Sequence, residues 1–187
     1  MKREALLHVL RAANEVAGGR VDFLLIGSQA ILGAVESDNF TLMRSMEADL
    51  AAMTPDQRLA EEVADRVSGV IGEGSDFNER FGYYADGVEM STAKLAPGWE
   101  QRLGTITFDA YGTTKTARFI SPEDLAVSKL LAGREKDLEF VQAMLEEAVV
   151  QLDAVAELLA TVPEDANQLR AGTWLEARRG DFPGMRP

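Results

Sequence analysis

A chain of 187 residues, 46% apolar and 27% charged, has the composition of a globular domain with enough length to bury a substantial core. Its net charge of −12 argues against an extended nucleic-acid surface, which needs many lysine and arginine contacts to phosphate, and the absence of cysteine excludes disulfides, thiolate catalysis and Cys-ligated zinc. No apolar run approaches the roughly 20 residues that span a bilayer and no cleavable leader is legible, so no membrane partner is expected and the expected location is the cytoplasm.

In chain order, "MKREALLHVLRAANEVAGG" predicts an amphipathic helix over about 2–17, stopped by Gly18-Gly19. His8, the only histidine, is expected to be structural or solvated. "VDFLLI" is β-rich and too short for a helix; Gly27-Ser28 ends it, and residues 28–35 predict a helix. "ADLAAM" predicts a second strand. "TPDQ" at 54–57 offers a Thr cap, Pro at the first helical position and Gln at the third, so a helix is predicted to about Ser68. "RFGYYADGVEMS" predicts a strand, or a hairpin turning at Asp86-Gly87; "GTITFDAYGTTKTARFI" predicts a hairpin turning near Tyr111-Gly112. "SPED" at 121–124 repeats the helix-start signal, with helices from there to about 133, then over 135–148, 150–161 and 164–178. Strands and helices followed by a run of helices predict an α+β fold. Its sheet domain covers 1–120 and its helical C-terminal subdomain 121–187, divided near Ser121.

Charge is uneven along the chain. Residues 36–89 carry thirteen acids against four bases, residues 94–136 carry seven bases against five acids, and residues 138–169 carry seven acids and no base. Only the middle third leans positive, so any RNA is expected to touch it. The acidic last block reads as a solvated face or a partner-binding surface, and the long helices after residue 135 offer material for a homodimer.

Two short patterns carry chemistry. A strand that ends in Gly-Ser and enters a helix presents free backbone N–H groups and a helix N-terminus to an anion such as phosphate; equally, Ser28 is a cap on a strand-to-helix turn. No P-loop is present, because "GSQAILGAV" lacks GxxxxGK[ST] and its lysine. Glu47 and Asp49 share a face if 46–51 is a strand. Adjacent carboxylates repel unless a cation sits between them, and magnesium, which takes one or two carboxylates plus substrate phosphates, fits best; the alternative is a solvated strand face.

Together, Gly27, Ser28, Glu47 and Asp49 resemble the nucleotidyltransferase fold. "FGYYADGV", "KLAPGWEQRL" and "SPEDLAVSKLLAGREKDLEFVQAML" are similar to a bacterial nucleotidyltransferase-like family related to the AbiEii-type toxins of toxin–antitoxin pairs, over about residues 5–148. The resemblance implies a nucleoside triphosphate on the Gly27-Ser28 turn and Mg²⁺ (or Mn²⁺) on Glu47 and Asp49. It also implies Lys129 as phosphate-neutralising cation with Asp137 as its partner, and an antitoxin as a candidate partner. Arg134, at i, i+3 from Asp137, joins the nucleotide-binding set. Glu47 stands where the wider fold has Asp, and a third carboxylate is expected from Asp86, Glu89 or Asp109, among which spacing does not choose; Asp86 reads as a turn residue. Trp99 and Arg102 are candidates to stack on a base and contact phosphate, or to pack. The expectation is nucleoside-monophosphate transfer to a protein side chain, a tRNA end or a small molecule. A non-catalytic nucleotide- or partner-binding protein that retains the fold is the alternative.

Overall fold

The apolar side of the first helix sets the frame. In α1 (Arg3–Val16) the buried residues Leu6, Val9, Leu10 and Ala13 recur at steps of three and four, which places them on one helix face. Gly18 and Gly19, at φ 64° and 66°, end it as predicted. The next strand, β1 (Asp22–Ile26), is buried at every position but its first, as a strand covered on both faces must be. The structure is a computed structural model and describes residues 1–182.

Around β1 the sheet is built from long-range pairings. On one side β2 (Glu47–Met53) runs antiparallel to it, with β3 (Tyr84–Gly87) parallel to β2 at the edge. On the other side β5 (Thr113–Phe119) runs parallel to β1 and β4 (Gly104–Ala110) closes the sheet antiparallel to β5. The order is β3-β2-β1-β5-β4. The β4–β5 hairpin turns where predicted: Tyr111 and Gly112 both have positive φ, 54° and 76°, in a two-residue turn whose twist matches the paired strands.

Of the two readings of "RFGYYADGVEMS", the strand forms and the hairpin does not. Asp86 and Gly87 lie inside β3, and glycine is required at 87 because a Cβ there would overlap the backbone of Ala64 in α4 (Gln57–Ile71). The start of α4 also differs from the prediction. Asp56, not Thr54, is the cap: its carboxylate accepts from the Leu59 amide at 3.2 Å while Thr54 Oγ1 accepts from Asp56 N, so the helix starts later and runs on to Ile71. The helix predicted over 28–35 is a 3₁₀ turn (Ser28–Ala30) and one turn of α2 (Ile31–Ala34), because Val35 turns extended at φ −135°. A further short turn, α3 (Phe40–Met43), precedes β2, and α5 (Asp76–Phe81) precedes β3.

The C-terminal helices are α6 (Pro122–Ala132), α7 (Glu135–Glu146), α8 (Leu152–Leu159) and α9 (Ala166–Glu176). Ser121 caps α6 as predicted, accepting from Asp124 N at 3.1 Å. Buried residues occur all round α6, which marks an interior helix; α7, α8 and α9 pack about it. One apolar cluster joins α1, the sheet and these helices. The fold is α+β, a mixed sheet with flanking helices. Residues 183–187 of the predicted 121–187 segment lie outside the described residues. No helix among the described residues is long and apolar enough to cross a membrane.

Candidate active site

The strand-to-helix turn is shaped for close approach. Gly27 has φ 65° and ψ −167°, a conformation essentially restricted to glycine, and a Cβ on it would overlap the carboxylate of Asp49. One residue therefore makes the turn and admits the acid. Asp49 stands opposite Ile26 in the β1–β2 ladder. Ser28 does not cap the 3₁₀ turn; its hydroxyl instead accepts from Lys129 Nζ at 2.9 Å. Gly27→Ala must relieve both strain and overlap, so urea unfolding is expected to show a loss of at least about 2 kcal/mol.

Alternation along β2 turns Ala48 and Leu50 into the core and leaves Glu47 and Asp49 on the other face. The parallel register of β3 sets Tyr84 against Glu47 and Asp86 against Asp49, so Asp86 is the third acid of that face and not a turn residue. Burial, then the charge of Asp49, then the neighbouring Asp86 push the Glu47 carboxyl up to about 7, against the opposing pull of Lys136. Burial and Asp86 push Asp49 up to about 6, opposed by Lys129 and Arg134. The other two candidates lie elsewhere: Glu89 is exposed and accepts from Ser91 Oγ at 3.0 Å, and Asp109 is exposed on β4 at the far edge. Among the described residues no three His, Asp or Glu side chains gather as a metal-binding group. A cation seated here would draw on the carboxylate pair and on oxygens of a substrate, the manner in which magnesium is commonly held.

Lys129 comes from α6, and Arg134 and Asp137 from the start of α7. Lys129, 8% exposed, lies over the Phe140 ring at 4.4 Å and donates to Asp137 Oδ1 at 3.1 Å as well as to Ser28. Burial pulls its ammonium pKa down, with Asp137 opposing. Asp137 is buried, which alone would raise it, but the hydrogen bond from Arg134 Nε at 2.5 Å and the charge of Lys129 hold it below the usual carboxylate range.

All seven residues singled out from the sequence as the site, Gly27, Ser28, Glu47, Asp49, Lys129, Arg134 and Asp137, line one cavity of about 420 Å³. Arg44, Lys94 and Lys136 line it too; Lys136 lies between Arg134 and Asp137 in the chain, whereas Arg44 and Lys94 come from separate segments that no local spacing announces. Trp99 and Arg102 do not line it. Arg102 grips the fully buried Asp124 with two hydrogen bonds of 2.8 Å and holds the Ala96 and Pro97 carbonyls at 3.2–3.3 Å, so its guanidinium is already spent, and Trp99 packs against the core. His8 is structural as expected, bonded through Nδ1 to the Tyr83 hydroxyl at 2.9 Å beside Phe77 and Phe81.

A family model described as "Nucleotidyltransferase of unknown function (DUF6036)" matches residues 4–175. No curated protein and no solved structure matches the chain.

Proposed function

The chain belongs to this nucleotidyltransferase family, and from that premise we propose that it transfers a nucleoside monophosphate from a nucleoside triphosphate to an acceptor hydroxyl with Mg²⁺ or Mn²⁺ as cofactor. The observation that carries the reading is the convergence of the Gly27-Ser28 turn, the carboxylates of β2 and the Lys129 ammonium on one cavity. The donor set suits a hard divalent ion, since two oxygen ligands with raised pKa values gain most from a positive neighbour. Glu47 and Asp49 would hold the ion, which when bound neutralises phosphate charge and polarises the reacting phosphoryl group.

The chain's own groups supply the rest. The open backbone at Gly27-Ser28 seats the phosphates, with Ser28 Oγ exchanging Lys129 for a phosphate oxygen. Lys129, with Arg134, offsets the negative charge that develops on the transferred phosphoryl group, and positioning plus electrostatics of this kind is most of what phosphoryl transfer requires. The acceptor oxygen bonds to the α-phosphorus as the bond to the β-phosphate bridging oxygen breaks. Pyrophosphate leaves, and Asp86 takes the acceptor's proton. Glu47 lies two residues before Asp49 on the same face of β2, against Tyr84.

Labelled nucleoside triphosphates incubated with the protein, Mg²⁺ and cell extract are expected to label an acceptor and release pyrophosphate, and the nucleotide with Mg²⁺ is expected to raise the melting temperature by mass action. Absence of both sinks the proposal; stabilisation without transfer would leave a nucleotide sensor. The resemblance of "SPEDLAVSKLLAGREKD" to a family related to the AbiEii-type toxins supports a toxin role in the cytoplasm, in which growth arrest on expression is relieved by Asp49→Ala.

A further inference from the structure

Five cations, Arg44, Lys94, Lys129, Arg134 and Lys136, and three acids, Glu47, Asp49 and Asp137, line the cavity of a protein whose net charge is −12. They fall into two ends. Lys129 and Arg134 are tied to Asp137, with Lys129 also on Ser28, and both act on Asp49. At the Glu47 end stands Lys136, exposed and without an ion pair among the described residues. Arg44 stands beside it: Nη2 donates to the Lys136 carbonyl at 3.3 Å and Nη1 to Glu139 at 2.9 Å, which pins the end of α3 against the start of α7.

One helical turn before Arg44 sits Phe40, outside the cavity and 79% exposed, with Met46 48% exposed nearby in the chain. Phe40 precedes the cavity-lining Thr41 and stands at i, i+4 from Arg44; an exposed ring at a cationic cavity mouth has the parts of a nucleotide platform: a face for a base and cations for its phosphate. The donor triphosphate accounts for the Ser28 end. Resting on the transfer reading, we infer that the rim formed by Phe40, Arg44 and Lys136 binds a nucleotide unit of the acceptor, its base on Phe40 and its phosphate on Lys136 and Arg44. This brings a hydroxyl of that unit to the Glu47 side of the cavity.

Binding is read without transfer, by fluorescence anisotropy of a labelled single-stranded eight-residue oligoribonucleotide with the full chain in the absence of nucleoside triphosphate and Mg²⁺. Phe40→Ala and Lys136→Ala, both at exposed positions, are expected each to weaken it about 10-fold, Phe40→Trp to restore it, and Lys136→Ala to lower the salt slope by about one. Competition by unlabelled nucleoside monophosphate as effective as that by the oligomer identifies a free nucleotide as the acceptor; competition by the oligomer alone identifies a nucleic-acid end. Unchanged binding in both alanine variants, or no binding at all, overturns the inference. So does loss of nucleotide-with-Mg²⁺ thermal stabilisation in Phe40→Ala, which would give the ring to the donor's base. Failure of the transfer reading looks different: oligomer binding with these dependences persists while nucleotide and Mg²⁺ do not stabilise the protein.

Discussion

Asp49→Asn is expected to abolish transfer and, at pH 8 without metal, to make the protein more stable than its parent. The first effect follows from the proposed function, in which Asp49 holds the metal at the reacting centre, and a fall of at least about 10³-fold matches what single electrostatic contributors supply. The second follows from linkage. In the folded chain the Asp49 carboxyl is raised from its ordinary 3.8 to about 6, so between those values the folded state holds more protons than the unfolded one and stability falls as pH rises. Above about pH 6 the whole penalty is present. Below about pH 4 the carboxyl is protonated in both states and the penalty vanishes. Asparagine keeps the shape without the charge, so its advantage should be about 1–3 kcal/mol at pH 8 and should fade on acidification towards pH 4. Mg²⁺ should raise the melting temperature of the parent at pH 8 and not that of Asp49→Asn. Urea unfolding across pH with and without Mg²⁺ reads both arms; a destabilised Asp49→Asn at pH 8 would show that the carboxylate is satisfied by the protein itself and waits for no cation.

That acid was legible because two local signals meet at it. The glycine ending β1 and the alternation of β2 are short-range features, and each is decided within a few residues. The Ser121 cap and the Tyr111-Gly112 turn were legible for the same reason. Asp86 was not. "DG" is a turn signal in isolation, and what overrides it is the parallel pairing of β3 with β2 together with the approach of Ala64 to Gly87, neither of which leaves a trace in the local pattern. Arg102 misled in the opposite way. A surface-looking arginine in a loop proves to be the counter-charge of Asp124, whose position in "SPED" signals only a helix start. The bond from Lys129 to Ser28 spans 101 residues of chain. Helical spacing cannot encode it, and only likeness to other sequences marked Lys129 out.

Lys129 and Asp137 separate charge in catalysis from charge in folding. Lys129→Met keeps most of the side chain's volume and its place over Phe140 while removing the ammonium. Asp137 then still has Arg134 at 2.5 Å, so the stability change should stay below about 1.5 kcal/mol, as for apolar replacement of one member of a compensated buried group. Transfer should fall about 10²–10³-fold, with the loss in kcat, because the charge it offsets develops in the transition state. Asp137→Asn should do the reverse to the fold. The side chain of Arg134 is 64% exposed and can turn to water, whereas that of Lys129 is 9% exposed and is left as a buried cation that has lost its hydrogen-bonded counter-charge and keeps the Ser28 hydroxyl and the Phe140 ring; about 3–5 kcal/mol of stability should be lost. The double variant decides between the two roles: with no cation to orphan, Lys129→Met/Asp137→Asn should recover most of the stability lost in Asp137→Asn and none of the transfer. If its stability loss is instead the sum of the single losses, the pair is not coupled across α6 and α7, and Lys129 is held at Ser28 by packing rather than by the charge of Asp137.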